Sequence, residues 1–327
     1  MYADTGAQFR PELHVKVEEA MAADTKFIAD AIFPVYNVKT RTGFYKKIRR
    51  GKGQLLSGLG ANGSNDPLAR APGTAYAQVT RTSEQASWVT VDRGLGEVLD
   101  ATVAQDESRF YDVEAHTAMA LMRNIRTYRE IRVAGKVFNE SIWGAATETG
   151  EAYLAANIAT LNFAQDLIAA KQVVDKRQEE ANTLVISRQM WDLVIQSTLL
   201  RAYFFGTAGG NAMITRQMIA EKFELANILI GNASQDSSKL NKDSSDANLS
   251  WIWNDNYFWV GNVQSGAPEA GGAGRTFVLE DLVSASLFLT ESEYDWDLRS
   301  TKIRVRQDSD ENTVNEVSGV LWKINDL

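Results

Sequence analysis

The stretch "FIADAIFPVYNVKTRTGFYKKIRRG", residues 27–51, changes character twice along its length. Its first residues complete a helix-like segment that starts near residue 11. Pro34 and the β-branched residues around it then favour an extended chain. The part up to residue 37 has too few apolar positions to fold alone. Residues 1–37 are therefore predicted to form an arm that lies against another part of the protein.

The same stretch opens a strongly cationic region. Between Ala31 and Asn65 there is no Asp or Glu, although the whole chain has a net charge of −8. The cations of this region are Lys39, Arg41, Lys46, Lys47, Arg49, Arg50 and Lys52. Acidic residues concentrate elsewhere, in "ESEYDWD" at 291–297 and "DSDEN" at 308–312. A basic segment on an acidic body predicts that copies of the chain bind one another through complementary charge.

Residues 38–93 are predicted to form a long β-hairpin. Its two limbs, near residues 39–51 and 75–94, alternate polar with aromatic or β-branched residues, and a Gly-rich and Asn-rich tip separates them. Both limbs are too polar to enclose a core, so the hairpin is expected to extend away from the body. A flat polar hairpin is marginal in isolation, so a neighbouring molecule is expected to stabilise it.

Two glycine-rich segments partly match the motifs of nucleotide-binding loops. Gly58, Gly60 and Gly63 spell G-x-G-x-x-G, but a cationic segment precedes them and prolines follow, where the fingerprint requires a buried strand and a helix. In the loop at 266–276, Arg275 stands where a phosphate-binding loop needs Lys. Neither segment predicts nucleotide binding, and an α/β enzyme using one of them is the less favoured interpretation.

The composition also excludes several kinds of chemistry. The 327 residues include no cysteine and only two histidines, so disulfides and thiolate metal sites are excluded and a histidine metal site is not expected. The net negative charge disfavours a protein whose main task is to neutralise nucleic-acid phosphates. No apolar run approaches the length of a membrane-spanning helix. We therefore predict no catalytic, cofactor or metal site.

A long helix is predicted over residues 106–139. Apolar or small side chains recur there at steps of three and four residues, with basic residues largely between them. The positions that define this stripe are Phe110, Val113, Thr117, Leu121, Ile125, Tyr128, Ile131, Ala134 and Phe138. A single apolar stripe of this length suits a spine on which one sheet packs.

Residues 151–282 are predicted to form a mixed α/β domain. "TLVIS" at 183–187 has the composition of a buried strand and leads at once into a helical pattern, as in a βα unit. "LSWIWNDNYFWVGNV" at 249–263 is interpreted as a hairpin. The strands that follow residue 283 are expected to pair beside the spine helix, so that the α/β domain is an insertion.

This order of parts resembles the major capsid proteins of tailed bacteriophages, which have the Hong-Kong-97-type fold. Five local phrases are similar to that family in the same order, and the likeness runs from about residue 27 to residue 325. They are the opening stretch at 27–51, "LARAPGT" at 68–74, "EEANTLVISRQMWDLVIQ" at 179–196, "ILIGNA" at 228–233 and "WIWNDNYFWVGNV" at 251–263.

The resemblance implies an α+β capsid fold without catalysis. It divides the chain into an N-terminal arm (1–37), an extended loop (38–93), a peripheral domain (94–150 and 283–327) and an inserted axial domain (151–282). It implies hexamers and pentamers that form an icosahedral shell around double-stranded DNA, assembled in the bacterial cytoplasm.

The loop cations are the candidates for contacts between subunits. Lys46, Lys47, Arg49 and Arg50 are expected to meet acidic surface on the next subunit, with Arg41 and Arg70 near the hinge of the loop. A solvated charged face remains an equal interpretation for any single one of these residues.

Further partners follow from the same resemblance. The arm is too short for the N-terminal scaffolding domain of some relatives, so a separate scaffold protein or none is expected. Portal and cement proteins are further expected partners, and packaged DNA should meet the inner face without sequence-specific binding. The nearest alternative is an encapsulin-like compartment that encloses an enzyme. A more distant one is a DNA-binding protein that uses the cationic hairpin.

Overall fold

The computed structural model describes residues 8–48, 83–144, 147–148, 153–206, 213–238, 248–280 and 287–324. Its helices are α1 Pro11–Ala23, α2 Ala29–Ile32, α3 Ala101–Glu107, α4 Val113–Val137, α5 Glu140–Trp143, α6 Phe163–Lys176, α7 Arg188–Val194, α8 Thr198–Phe205 and α9 Arg216–Lys222. Its strands are β1 Gln8–Phe9, β2 Val35–Val38, β3 Thr42–Ile48, β4 Ser83–Val89, β5 Val91–Asp100, β6 Thr147–Glu148, β7 Thr183–Ser187, β8 Asn227–Gly231, β9 Ser234–Asp236, β10 Leu249–Trp251, β11 Tyr257–Gly261, β12 Gly274–Leu279, β13 Leu289–Asp295, β14 Ser300–Thr313 and β15 Gly319–Lys323.

The first sheet is built around the 14-residue strand β14. Strand β5 pairs antiparallel with it from Asp100 opposite Ser300 to Val91 opposite Ser309, without interruption. On the other side of β14, β13 pairs with its first half and β12 with its second half. Strand β1 extends the sheet beyond β13, and β2 extends it in parallel beyond β12. One strand thus spans the whole length of this sheet, about 45 Å.

Helix α4 packs on this sheet as the predicted spine, but it starts later than expected. The Asp112 carboxylate accepts a hydrogen bond from the Ala115 N–H at 3.1 Å, which caps the helix at that point. The 25 helical residues span about 37 Å. Phe110 therefore lies outside the helix and is 85% exposed, and Tyr128 is 62% exposed, so neither belongs to the buried face. Arg126, Arg129 and Glu130 are buried there instead.

The second sheet has the order β6-β15-β11-β7-β8. The predicted βα unit is confirmed: β7 is buried throughout, runs parallel to β8 and leads directly into α7. The Ser187 side chain joins the two elements by accepting a hydrogen bond from the Met190 N–H at 3.3 Å. Helix α6 packs on the same sheet through Phe163, Leu167 and Val174, which are fully buried.

Three strands pair differently from the sequence-based expectation. Strand β15 lies between β6 and β11 in the second sheet, not beside the spine helix. Strand β12 was assigned to the inserted domain, yet it pairs with β14 and β2 in the first sheet. The predicted hairpin at 249–263 does not form, because β10 pairs with β9 and β11 pairs with β7 and β15. Alternation predicts a strand but does not specify its partner.

A tryptophan-rich core joins the two sheets. Trp253 and Trp259 are fully buried there with Ile32, Phe33 and Val137. Gly261 and Gly319 lie directly opposite each other across β11 and β15. A Cβ atom at Gly319 would lie 2.6 Å from the Trp259 indole, so this close packing requires glycine.

Candidate assembly interface

Strands β3 and β4 form the base of the predicted hairpin. They pair antiparallel from Thr42 opposite Val89 to Ile48 opposite Ser83. Residues 49–82 lie outside the described residues. The candidates Arg49, Arg50 and Arg70 fall in that range, as do Gly58, Gly60 and Gly63.

An aromatic stack fixes this hairpin base to the first sheet. The Trp88 indole lies parallel to the Phe277 ring, with centroids 5.2 Å apart, and the Tyr45 and Phe277 rings are 5.3 Å apart. Tyr45 is 4% exposed and Phe277 is fully buried. Gly43, directly opposite Trp88, leaves room for the indole, because a Cβ atom there would lie 2.1 Å from it. The base of the hairpin therefore contributes to a small core.

Polar contacts bind the same base to residues 308–316. Arg41 Nη2 lies 3.1 Å from Asp308 Oδ2, and Lys47 Nζ lies 3.2 Å from Glu316 Oε1. The Val89 N–H donates to Asp310 Oδ2 at 3.0 Å. The acidic segment that was expected to attract another copy thus contacts its own hairpin. We call residues 308–316 together with Phe277 the hairpin seat.

The tyrosine in this seat is strongly shielded from water. Burial raises the pKa of Tyr45 to about 12, and the nearby negative charges of Asp310 and Glu316 act in the same direction. Its hydroxyl donates to the Thr313 carbonyl oxygen at 3.3 Å. Tyr45 therefore stays neutral at any physiological pH and serves as a packing and hydrogen-bonding group.

Three of the candidate cations lie in the described part of the chain, and their surroundings differ. Arg41 and Lys47 form ion pairs with acids of their own chain. Lys46 is exposed, and Gln85 is its cross-strand partner. Because neighbouring strand residues point to opposite faces, Lys46 and Lys47 project in opposite directions. Arg41 is also exposed but pairs with Asp308, so Lys46 is the exposed candidate that makes no ion pair within the described part of the chain.

The arm and the spine helix are joined by a buried carboxylate that the sequence analysis missed. Glu130 is fully buried. Its Oε1 accepts hydrogen bonds from the Trp253 indole N–H at 2.7 Å and the Ile28 N–H at 3.1 Å, and its Oε2 accepts from the Ala29 N–H at 2.9 Å. Burial raises the pKa of Glu130, and these hydrogen bonds oppose that rise. One side chain thus links the arm, the spine helix and the loop before β11.

An arginine cluster extends this junction to β14. Arg132 donates from Nε and Nη2 to the two Glu311 carboxylate oxygens at 2.9 and 2.8 Å. Arg129 contacts Asp30 and donates to Thr276 Oγ1 at 3.0 Å. Burial opposes ionisation of Glu311, but the hydrogen bond and charge of Arg132 and the charge of Arg129 outweigh it and lower the pKa to about 2. The sequence signal for this cluster is the spacing of three residues between the arginines of α4. That spacing places the arginines along one side of the helix.

The glycine-rich loop before β12 is held in place by Arg275. This fully buried guanidinium donates to the carbonyl oxygens of Gly266, Gly271 and Gly274 at 2.9, 2.8 and 2.8 Å. Its donors therefore serve the loop itself and not a phosphate. Gly271 and Gly272 have φ values of +96° and +89°, which suit glycine.

The described part of the chain contains neither a metal-binding cluster nor a membrane-spanning helix. Within the described ranges, no group of three or more His, Cys, Asp or Glu side chains is arranged to hold a metal ion. None of the helices in that part of the chain has both the length and the apolar character needed to cross a membrane.

Comparison with known proteins identifies the fold. No family model and no curated protein matches the sequence. A solved structure of a phage-related protein from Bordetella bronchiseptica RB50 has 18% identity and a TM-score of 0.66, covering 96% of this chain and 97% of that one. The capsid of the cyanophage P-SCSP1u has 12% identity and a TM-score of 0.56, covering 90% and 87%. The chain has the phage capsid fold.

A third solved structure is similar over almost the whole of both chains. A virus-like particle from Pyrococcus furiosus has 9% identity and a TM-score of 0.55, covering 96% of this chain and 98% of that chain. The phage capsid fold accounts for the α+β architecture, the spine helix on a long sheet and the hairpin that leaves it. The predicted α+β capsid fold is thus confirmed.

Proposed function

We propose that this chain is a major capsid protein, which self-assembles into hexamers and pentamers and forms an icosahedral shell around double-stranded DNA. The observation that carries the proposal is the structural match to a phage capsid, which covers 90% of this chain and 87% of that one. We assign the chain a structural role without catalysis, with the virion capsid as its location and the host bacterial cytoplasm as the place of assembly.

We assign the parts of the subunit as follows. Residues 1–37 act as the arm, 38–93 as the extended loop, 94–150 and 283–327 as the peripheral domain, and 151–282 as the axial domain around the centre of a capsomer. Strand β12 lies within residues 151–282 but pairs with β14 of the first sheet, and β15 lies within residues 283–327 but pairs with β11 of the second sheet. Each domain thus contributes one strand to the sheet of the other domain.

The hairpin seat suggests how the extended loop would act. Its aromatic stack and ion pairs fix the base of the loop in its own subunit, so its direction is set before a neighbour is met. The rest of the loop would then lie over the next subunit, with Lys46 and the cations beyond it facing acidic surface there. Many such modest contacts close a shell through avidity.

An encapsulin-like compartment is the second candidate, and the match to the virus-like particle from Pyrococcus furiosus fits a shell of either kind. The two candidates differ in their contents. A capsid would enclose DNA and work with separate scaffold, portal and cement proteins, whereas a compartment would enclose an enzyme.

Electron microscopy of the purified protein tests the proposal, both alone and after co-expression with the neighbouring genes of its source. Closed uniform shells or ring-shaped capsomers are expected. Compact particles of a few subunits under every condition would overturn both shell functions. Nuclease-protected DNA inside the shells would support the capsid, and a co-purifying enzyme without DNA would support the compartment.

A further inference from the structure

After residue 261 the chain passes twice between the two sheets, and the two connecting segments lie side by side. Residues 262–273 lead from β11 in the second sheet to β12 in the first, and residues 314–318 lead back from β14 to β15. The Asn262 N–H donates to the Ser318 carbonyl oxygen at 2.7 Å. We call these two segments the crossings. Whatever holds the crossings together also sets how the two sheets are placed relative to each other.

A buried carboxylate joins the two crossings. Glu179 follows helix α6 and is 4% exposed. Its Oε2 accepts a hydrogen bond from Asn262 Nδ2 in one crossing, and its Oε1 accepts one from Asn315 Nδ2 in the other, each at 3.1 Å. Both asparagines are buried as well. One side chain thus bridges both segments that connect the sheets.

The orientation of both asparagine amides is set by their other partners. Asn262 Oδ1 accepts from Asn182 Nδ2 at 3.3 Å, and Asn315 Oδ1 accepts from the Val317 N–H at 3.3 Å. Each of these acceptor oxygens is therefore in use, and each Nδ2 donor is turned towards Glu179. A carboxylate offers an acceptor oxygen to both donors, whereas a glutamine would offer one oxygen and one NH2 group. The position therefore requires a carboxylate.

The backbone before Glu179 is turned so that the carboxylate reaches the crossings. Helix α6 ends at Lys176, and Gln178 has a φ of +63°, a left-handed conformation in which glycine is the usual residue at a helix end. Another residue in this conformation costs free energy and persists where the surrounding structure compensates. Arg177 in the same turn donates to the Gly319 carbonyl oxygen at 2.7 Å, directly after the second crossing. The whole turn is thus directed at the crossings.

We propose that Glu179 is a conformational clamp, which locks the two crossings to each other and holds the two sheets at one fixed angle. The tryptophan-rich core resists separation of the sheets, but apolar contacts are non-directional, whereas hydrogen bonds depend on orientation. Removal of the clamp would convert the junction into a hinge. The clamp acts within one subunit, so this inference does not depend on the proposed shell function.

The test exchanges a donor and an acceptor within the clamp. Glu179→Gln places its NH2 group against that of one asparagine, so a buried donor loses its acceptor. In the double variant Glu179→Gln with Asn315→Asp, the glutamine NH2 donates to the new carboxylate, whose second oxygen still accepts from the Val317 N–H. This double variant keeps the net charge and should restore the clamp. Glu140→Gln is the matched control, because Glu140 is exposed and an amide oxygen can equally accept its hydrogen bond from the Tyr257 hydroxyl.

Hydrogen exchange followed by mass spectrometry measures the opening of the crossings. In Glu179→Gln, peptides that cover 262–273 and 314–318 should exchange about tenfold faster than in the wild type, since the lost hydrogen bond lowers the free energy of local opening. Peptides from β5 and α4 should keep their wild-type rates. The double variant should bring the crossings back to within about threefold of the wild type. If Glu179→Gln instead exchanges faster throughout the chain, rescue by the double variant supports the clamp and failure of rescue contradicts it.

The angle between the sheets is measured with spin labels, which the absence of cysteine in the chain allows. Tyr128→Cys on α4 and Gln217→Cys on α9 place one label beside each sheet, at exposed positions. Double electron–electron resonance should give a narrow distance distribution in the labelled wild type, in Glu140→Gln and in the double variant. The distribution should be broader in Glu179→Gln. An unchanged distribution in that variant would overturn the clamp and leave the tryptophan-rich core as the feature that fixes the angle.

Discussion

The two ends of strand β14 differ in whether the rest of the chain covers the aromatic side chains near them. Near Thr313, the side chains of Tyr45, Trp88 and Phe277 pack on one another, and the hairpin base covers them within the same chain. Near Ser300, Trp296 is 82% exposed and its described aromatic neighbour is Tyr294 of the same turn. The first end is completed by the subunit itself, whereas the aromatic side chains at the second end face solvent. Changes at the two ends should therefore affect different processes.

The largest expected effect on folding is that of Phe277→Ala. It removes the ring on which Trp88 and Tyr45 pack, so the free energy of unfolding should fall by about 3–5 kcal/mol. Chemical denaturation monitored by circular dichroism measures this loss. Trp296→Ala at the other end should change the same quantity by less than about 0.5 kcal/mol. Equal losses for the two variants would show that Trp296 packs as part of the fold and would abolish the distinction between the two ends.

A smaller effect is expected at the ion pairs of Glu311. Glu311→Gln leaves Arg129 and Arg132 without their buried counter-charge, which should cost about 3 kcal/mol, since the amide oxygen still accepts one hydrogen bond. Lys302→Ala, which breaks the more exposed pair with Asp295 between β13 and β14, should cost less than about 1 kcal/mol. Urea unfolding of both variants measures the difference. A loss for Lys302→Ala as large as that for Glu311→Gln would contradict the expected difference between buried and exposed ion pairs.

The low pKa of Glu311 predicts that the stability of the folded chain depends on pH. The folded pKa of Glu311 is about 2, below its ordinary value of 4.5, so its stabilisation is complete above pH 4.5 and is lost as the pH falls towards 2. The stability of the wild type should therefore fall more steeply in that window than the stability of Glu311→Gln. Both chains retain Glu130, whose raised pKa acts in the opposite direction, so the difference isolates Glu311. If stability fell equally with pH in the wild type and in Glu311→Gln, the ion pairs assigned to Glu311 would be contradicted.

The smallest effects separate two adjacent cations of the hairpin. Lys47→Ala breaks the ion pair with Glu316 and should lower the free energy of unfolding by less than about 1 kcal/mol. Lys46→Ala should leave it unchanged within error and instead slow shell formation, because Lys46 faces solvent in the single chain. Denaturation and light scattering of the two variants distinguish these outcomes. Normal assembly by Lys46→Ala would remove it from the candidate contacts.

Much of this architecture follows from the sequence. Alternation predicted the hairpin limbs, and the helical stripe from Val113 to Ala134 predicted the spine, because both patterns report which side of an element is buried. The start of the spine was misplaced because periodicity continues through Phe110, while the Asp112 cap decides where the helix begins. The partner of β15 was missed because an apolar strand fits either sheet.

The contact candidates show a different limit of sequence reasoning. Clustered cations indicated attraction to acidic surface, but net charge carries no information on which chain supplies the acid. The pairing of Arg41 with Asp308 depends on how the hairpin folds back on β14, and that depends on the aromatic stack around Phe277. Buried Glu130 was missed for a similar reason, since its three hydrogen-bond donors come from segments about 100 or more residues away in the sequence.

The uninterrupted pairing of β5 with β14 has a consequence for how a shell of these subunits would curve. Ten consecutive residue pairs without a bulge make the sheet stiff between the hairpin seat and the turn that joins β13 to β14. In a shell, the angle between a subunit's two sets of neighbours would then be fixed within each subunit. The difference in bend between a five-membered and a six-membered ring would have to arise at the joints between subunits.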